Sequence, residues 1–556
     1  TLGISGAWLE ALLGDIMLNS YGNLEVSNAS RLAANENIWL HSRAGNITLE
    51  DTEIVSDNAS VDVYTQALNR TITMSGNSRI EAGDVVTMSA GRELTAQNIT
   101  AAGEILLEVR RTNAADILNV AGDVKSTGNN VYLTAGDMNI EADVITTTGD
   151  IYLDGRNNVG FTLGSNTGIG VKLSAAEITH LKADDGHALI IGYGKRYEIP
   201  TDILSEMGSI SDPMYLASGD IHQAGNAEAS SLNVGLVTTG TITREDATNP
   251  HLTMQDNGSL ALVAQHGIAF GATANTTLDL AASNRDLTSS LDGDVHLFLG
   301  GNNGTYNVTS FVRPQDPVAN AIGRNVAGIE NQAAGHDIVL SVPNGGNTVN
   351  IKAPVFGTAG TGGGDTHNDI LFDMAGNDLI QDWNQYITAA DGDAFFFVKD
   401  FDIGRVYATQ GTVYIEHSGD VRDINDAPEG GPTVNITADG MMAYATGTGT
   451  FSPADPIETV INKLQMKANE DINIVNYGDL TIGGVTQNLD GYAQTYADDE
   501  SLIDNIPLGY YGIWQTSGHM SIDVGANRLT VAGTILQADD ETGGTPKQNF
   551  DTAHSA

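Results

Sequence analysis

Residues 121–155 read AGDVKSTGNNVYLTAGDMNIEADVITTTGDIYLDG. Within them Val131-Tyr132-Leu133, Met138-Asn139-Ile140 and Ile151-Tyr152-Leu153 each follow a turn containing Gly or Asn. Short alternating segments of this kind place every second side chain on one face of a strand. The same phrasing extends over residues 23–156 as three interleaved series. One is Ile47-Thr48-Leu49, Ile72-Thr73-Met74 and Met138-Asn139-Ile140. A second is Ile54, Ile80, Ile99, Val124 and Val144. The third is Val61-Asp62-Val63, Val86-Thr87-Met88, Ile105-Leu106-Leu107, Val131-Tyr132-Leu133 and Ile151-Tyr152-Leu153.

The spacing sets the architecture. Ile47 to Ile72 and Val61 to Val86 are each 25 residues, Ile105 to Val131 is 26, and Val131 to Ile151 is 20. A unit of that length with three short strands matches one coil of a parallel β-helix. A single coil cannot bury its inward Ile, Val, Leu and Met. Coils stacked at about 4.8 Å bury them as ladders. Gly, Asn and Asp at the corners tolerate left-handed backbone and close approach.

The pattern returns later with longer interruptions, at Leu260-Ala261-Leu262, Val295-His296-Leu297, Ile338-Val339-Leu340, Val349-Asn350-Ile351, Val413-Tyr414-Ile415 and Val434-Asn435-Ile436. Near the end come Ile472-Asn473-Ile474, Leu480-Thr481-Ile482, Met520-Ser521-Ile522 and Leu529-Thr530-Val531. The expected organisation is regular coils over 1–192, an insertion over 193–216, coils with long loops over 217–452, a short helical insertion over 453–467, terminal coils over 468–545 and a polar tail over 546–556. Three excursions stand out. Tyr193 to Ser209 is expected to hold a short helix at Thr201 to Met207. Pro314 to Ala334 is rich in Asn and Ala. Pro453 to Met466 reads as an amphipathic helix with Ile457, Val460, Ile461 and Leu464 on one face.

Composition agrees with a turn-rich β protein. The 556 residues include 64 Gly, 6 % aromatic and 17 % charged residues, and the apolar fraction of 41 % is too high for disorder. Lys plus Arg is 25 against 70 Asp plus Glu, a net charge of −45. Such a surface repels phosphate backbones and anionic membranes, which argues against nucleic-acid binding. With no cysteine, disulfides and thiolate metal sites are excluded. No apolar run reaches the roughly 18 residues a membrane-spanning helix needs. The chain starts in repeat-like sequence at Thr1 without a signal peptide and reads as a mature or internal piece of a larger exported protein.

A more specific signal lies at residues 173–192. Leu173-Ser174-Ala175-Ala176-Glu177-Ile178-Thr179-His180-Leu181-Lys182-Ala183 runs into Ala188-Leu189-Ile190-Ile191-Gly192. This resembles an LSxxELxxLxA…LxIG element of large filamentous-haemagglutinin-like bacterial exoproteins. Gly45-Asn46-Ile47-Thr48-Leu49 and Gly149-Asp150-Ile151-Tyr152-Leu153 resemble the GxIxL coils of the same group. The resemblance covers much of residues 23–300 and fades beyond. It implies an all-β fold, a right-handed parallel β-helix (solenoid) with loop insertions, exported by two-partner secretion or as an autotransporter. It also implies roles in adhesion, aggregation or biofilm, and it brings no shared catalytic residues.

The residues give an enzymatic reading little support. Sugar hydrolysis needs an acid and a base flanking the glycosidic bond. The adjacent pairs Asp184-Asp185, Asp498-Asp499 and Asp539-Asp540 lack a neighbouring Gly-His-Gly and a basic clamp, His266-Gly267 being the nearest echo. A lyase needs a basic residue beside a calcium-binding carboxylate cluster, and basic residues are sparse. The 12 His show no HExxH pair, and no GxxxxGK[ST] loop occurs. Calcium is the one cofactor the sequence suggests. Hard cations take several oxygen ligands, and the candidates are Asp391 and Asp393, Asp400 and Asp402, and Asp420, Asp423 and Asp426. Gly362 to Trp383 carries only an echo of a glycine-rich calcium repeat, in the wrong register.

The expected role is therefore a fibrous protein of the bacterial cell surface or extracellular space, with no enzymatic activity. Its expected partners are other copies of itself or cell-surface glycans and proteins. A self-assembling filament, sheath or surface-layer subunit is the alternative, and a polysaccharide-acting β-helix enzyme or spike is the second.

Overall fold

The computed structural model describes residues 1–537 apart from 112, 114–115, 157–158, 201–207, 212–213, 217–218, 246–248, 275, 286, 288–290, 312–325, 360–366, 375, 426–432, 453 and 486–511. These residues form two compact units, one over 1–273 and one from 274 onward. Both are built almost wholly of parallel strands, as the alternation requires.

In the first unit three sheets run side by side through the sequence. The first holds seven strands, from Leu2–Ser5 to Asp137–Ile140, and the second holds eight, from Trp8–Ala11 to Leu181–Lys182. The third runs from Ile16–Ser20 through Val61–Thr65, Val86–Ala90, Ile105–Val109, Val131–Ala135 and Ile151–Gly155 to Gly258–Ala264. Up to Ile151–Gly155, neighbouring strands of each sheet lie three apart in chain order; beyond it the insertions break that spacing. This is the connectivity of stacked three-strand coils and is consistent with a parallel solenoid.

The register follows the sequence series rung by rung. Ile54, Ile80, Ile99, Val124 and Val144 are direct partners. So are Val61, Val86, Ile105, Val131 and Ile151. All ten are fully buried. A one-residue slip would turn these side chains outward, so burial locks the register.

Corners are locked by side chains. Asn23 Oδ1 accepts the Asn46 N–H at 3.1 Å, and Asn46 Oδ1 accepts the Thr71 N–H at 3.2 Å. Asn130 Oδ1 accepts from Asp150 N–H at 2.8 Å, and Asp150 Oδ1 accepts from Ala188 N–H at 2.7 Å. Each Asn or Asp thus satisfies a backbone donor in the neighbouring repeat, where the chain enters its sheet.

The LSxxE phrase is a single helical turn, Ala175–Thr179, between two strands. Ser174 and Glu177 make a reciprocal capping box. The second Glu177 oxygen accepts the Ile140 N–H at 3.0 Å, tying the turn to the coil beside it. At the end of the phrase Gly192 sits at φ +96°, where an added Cβ would strike the Val237 carbonyl oxygen. Gly192→Ala is expected to cost about 1–3 kcal/mol and to lower the melting temperature seen by circular dichroism. An unchanged melt would show that the coil can shift there.

The second unit repeats the scheme with longer strands. Val295, Ile338, Ile370, Ala394 and Val413 are in register along one sheet. Arg405–His417 pairs with both Tyr386–Ala389 and Ala394–Val398, with a register irregularity against the following strand between Ala408 and Thr412. Phe372 stacks on Phe396 at 5.3 Å, and Phe396 meets Phe401 at 4.9 Å. The unbroken apolar run Ala394–Val398 is buried along its whole length, the pattern of a strand covered on both faces.

Two expected excursions change. Of the stretch Pro453 to Met466, the described residues 454–466 are not a helix. They hold the strands Ile457–Val460 and Lys463–Ala468, with Ile457, Ile461 and Leu464 buried and Val460 exposed. The corner between the strands restarts the alternation, so two strands imitate helical spacing. Their backbone groups are taken by neighbours: Ile457 pairs with Ile474, and Lys463 pairs with Gly440. Of Pro314 to Ala334, Ile329–Asn331 is a sheet member, with Ile329 paired to Val355. The expected helix at Thr201 to Met207 lies outside the described residues.

Candidate functional site

The insertion after Gly192 is a strand pair that crosses the outer face of the third sheet in the first unit. Tyr193–Gly194 pairs antiparallel with Tyr215–Leu216, and Tyr197–Glu198 with Ser209–Ile210. The sheet face beneath carries outward side chains at alternate positions. One column in register is His41, Tyr64, Ser89, Glu108, Thr134 and Asp154. The next includes Asp62, Thr87, Leu106, Tyr132 and Tyr152.

Asp62 is fully buried and accepts from four donors. Thr87 Oγ1 donates to Oδ1 at 2.7 Å. The Tyr197 hydroxyl at 2.8 Å, the Gly208 N–H at 3.0 Å and His41 Nε2 at 2.9 Å all reach Oδ2. A carboxylate only accepts, so His41 Nε2 carries a proton in this arrangement. The Tyr197 ring stacks on Tyr64 at 5.0 Å, and the Arg110 guanidinium lies over Tyr64 at 4.7 Å. Burial drives the Tyr197 hydroxyl well above its ordinary range, with the Asp62 charge acting the same way.

Two further carboxylates follow. Glu108 accepts from Ser89 Oγ at 3.1 Å and from the Tyr197 N–H at 3.3 Å, and it pairs with Arg156. Asp154 accepts from Arg196 Nε at 3.1 Å. Burial raises the Asp154 carboxyl despite Arg196, and it lowers Arg110. Burial and the Arg196 charge bring Arg156 down to about 10. Arg196 also covers the Tyr215 ring at 4.2 Å. Glycoside cleavage needs two carboxylates facing a substrate groove. Here Asp62, Glu108 and Asp154 are fully buried, and their partners come from the covering segment and the sheet beneath it. The arrangement clamps the segment to the sheet.

None of these residues stood out in the sequence as candidates. The available signal was an acidic residue at an outward strand position, in Val61–Thr65, Ile105–Val109 and Ile151–Gly155, with Arg110 and Arg156 directly after two of those strands.

The six calcium candidates within the described residues are not one centre. Asp393 belongs to a corner ladder: Asp294 accepts from the Asp337 N–H at 3.0 Å, Asp337 from Asp369 at 2.9 Å, Asp369 from Asp393 at 2.7 Å and Asp393 from Thr412 at 2.6 Å. Asp391 lies beside it and accepts the Asn368 N–H at 3.2 Å. Asp400 and Asp420 form a second ladder ending at Thr450. It is neutralised by Lys399, 2.9 Å from Asp400, and by Arg422, 2.9 Å from Asp420 and 3.2 Å from Asp402. Asp423 stands apart, with Asn425, Asn435 and Glu458. Asp426 lies outside the described residues. Among the described residues no three His, Asp or Glu side chains are grouped to hold a metal ion, and no helix is long and apolar enough to cross a membrane.

No family model, curated protein or solved structure matches the chain.

Proposed function

We propose that the chain is part of a secreted bacterial surface fibre, a right-handed parallel β-helix that serves adhesion, aggregation or matrix formation. The observation that carries this reading is the rung-by-rung stacking with corner ladders of Asn and Asp. A coil that satisfies its neighbour's backbone with its own side chains can be repeated at constant stability per unit, so length is gained cheaply. The charge of −45 keeps neighbouring shafts soluble. Function then lies in reach and display toward other copies or toward glycans and proteins of a cell surface.

The test uses intact producing cells. External proteinase is expected to degrade the chain, and its deletion is expected to reduce cell aggregation or surface attachment several-fold. Protection of the chain inside intact cells, with attachment unchanged by deletion, would overturn the reading.

One observation favours the filament alternative. In the first coil Trp8, Leu12, Leu13 and Tyr21 are 67 %, 73 %, 92 % and 78 % exposed. A further coil stacked on this edge, from any source, would cover them and pair its strands. Ordered fibres of the purified chain in electron micrographs would select this alternative, and single particles at high concentration would discard it.

A further inference from the structure

In the second unit one run of paired strands passes through Val355–Gly357, Tyr386–Ala389, the start of Arg405–His417, Ile436–Ala445, Ile457–Val460 and Ile472–Asn476. Val355, Ile387, Val406 and Ile436 are in register on its inner side and fully buried. The next position along each strand therefore points outward. Those positions are in register as Phe356, Thr388, Tyr407, Thr437 and Val460. Tyr477 continues the column. Thr459 pairs with Asn476, and the Tyr477 N–H donates to the Thr459 carbonyl at 2.8 Å.

None of the six is charged, in a chain with 70 Asp and Glu. The outward column through Asp378–Gln381, Phe401–Ile403 and Val421–Asp423 holds Ile380, Asp402 and Arg422 instead. Val460 and Tyr477 are exposed, and Phe356 and Tyr407 partly so. Tyr386, two positions before Thr388, and Trp383, in the turn leading to it, are also exposed and widen the apolar strip. The other side has a polar rim, where Asn462 Nδ2 donates to Asp439 Oδ1 at 2.9 Å. An exposed apolar strip with a polar rim marks a contact surface.

Spacing and charge select the occupant. Rungs stand about 4.8 Å apart, which puts Phe356 and Tyr407 about 10 Å apart along the column and Tyr407 and Tyr477 about 14 Å apart. Rings at whole-rung intervals, with threonine hydroxyls between them, alternate flat apolar faces with hydrogen-bonding groups. An extended β-linked sugar chain has the matching surface, C–H faces edged by hydroxyls, and advances roughly one rung per sugar. The net charge of −45 repels polyanions, anionic membranes and a second copy of the chain, and an uncharged polymer escapes that repulsion.

We infer that this column binds an extended, uncharged, β-linked polysaccharide laid across the strands. Phe356, Tyr407 and Tyr477 stack on sugar rings, and Thr388 and Thr437 bond to their hydroxyls. The inference rests on the reading of the chain as a surface fibre, to which it adds a ligand class and the place where it binds.

The test titrates the purified full chain with cellohexaose and with chitohexaose in a calorimeter. At least one is expected to bind, and polygalacturonate is not. Tyr407→Ala and Tyr477→Ala are each expected to weaken binding about tenfold. Tyr477 is exposed, so its removal leaves the core intact, and an unchanged thermal melt checks this. Tyr21→Ala, exposed in the first unit, is expected to bind as wild type does. Binding of neither sugar would overturn the inference. So would binding that survives both Tyr407→Ala and Tyr477→Ala, or that Tyr21→Ala weakens equally. Copies that associate through Tyr477 without taking sugar would overturn it too, and would make the occupant a second chain. The surface-fibre reading fails separately, because external proteinase reports where the chain lies whether or not it binds sugar.

Discussion

Asp62→Ala is expected to release the covering segment from the third sheet while leaving the coils beneath it stacked. The substitution strands the Tyr197 hydroxyl, the Gly208 N–H, the Thr87 hydroxyl and His41 Nε2 without an acceptor. Breaking a buried, hydrogen-bonded charge pair from one side costs about 3–5 kcal/mol. Because Tyr197 and Gly208 belong to the segment, much of that cost falls on its docking. Hydrogen exchange followed by mass spectrometry should show amides of 193–199 and 208–211 exchanging about a hundredfold faster. Amides of Val86–Ala90 and Ile105–Val109, sheltered within the sheet, should change far less. Exchange that accelerates equally across the unit would show that the clamp supports the coils and not only the segment. Unchanged exchange would mean that Asp62 holds nothing in place.

The aspartate ladder of the second unit predicts stability that falls as pH rises. Burial pushes the Asp369 carboxyl up to about 7, and the Asp393 and Asp391 charges add to it. The N–H of Asp393 and the charge of His367 oppose the rise. Burial, with the Asp369 charge, also raises Asp337 well above its ordinary range. A carboxyl raised in the fold keeps its proton where the unfolded chain has lost it. Its contribution is therefore complete below about pH 4 and is lost as pH rises through the folded value. For Asp369 alone the loss between pH 4 and pH 8 is on the order of 4 kcal/mol.

Asp369→Asn keeps an oxygen for the Asp393 N–H and removes the ionisation. It should raise the melting temperature at pH 8, leave it nearly unchanged at pH 5 and flatten the profile between. Thermal denaturation in chelator across that range checks the sign. A wild-type melting temperature that rises with pH over this window, or an Asn variant no more stable than wild type at pH 8, would show that the ladder is not held by shared protons.

Much of the fold was legible because its rules are local. Val61, Val86, Ile105, Val131 and Ile151 could be aligned by eye, and they pair in that order. The turns before Val86, Val131 and Ile151 announced themselves as Gly83-Asp84, Gly128-Asn129 and Gly149-Asp150, because a short polar side chain fits there and can reach the neighbouring repeat. The misreading of Pro453 to Met466 has the same root. A corner inside a short window destroys the period-two signal, and what remains mimics a helix. Of the acidic candidates Asp391, Asp393, Asp400 and Asp420 lie between strands while Asp402 and Asp423 lie within them, and proximity in sequence did not make a site. Asp400 and Asp420 each found a cation, while Asp423 found Glu458, 35 positions away.

What the sequence by itself determined is the repeat: its period, its short parallel strands, their buried Ile, Val and Leu, and the polar turns between them. These depend on residues within one coil or its immediate neighbours. Only the tertiary structure decided which outward polar groups are buried and which partners they meet. Tyr197 reaches Asp62 across 135 positions and Gly208 across 146. An outward Asp on a strand reads the same whether water or a folded-over segment covers it. Burial and pairing are properties of what packs above the strand, and no periodicity along the strand encodes them.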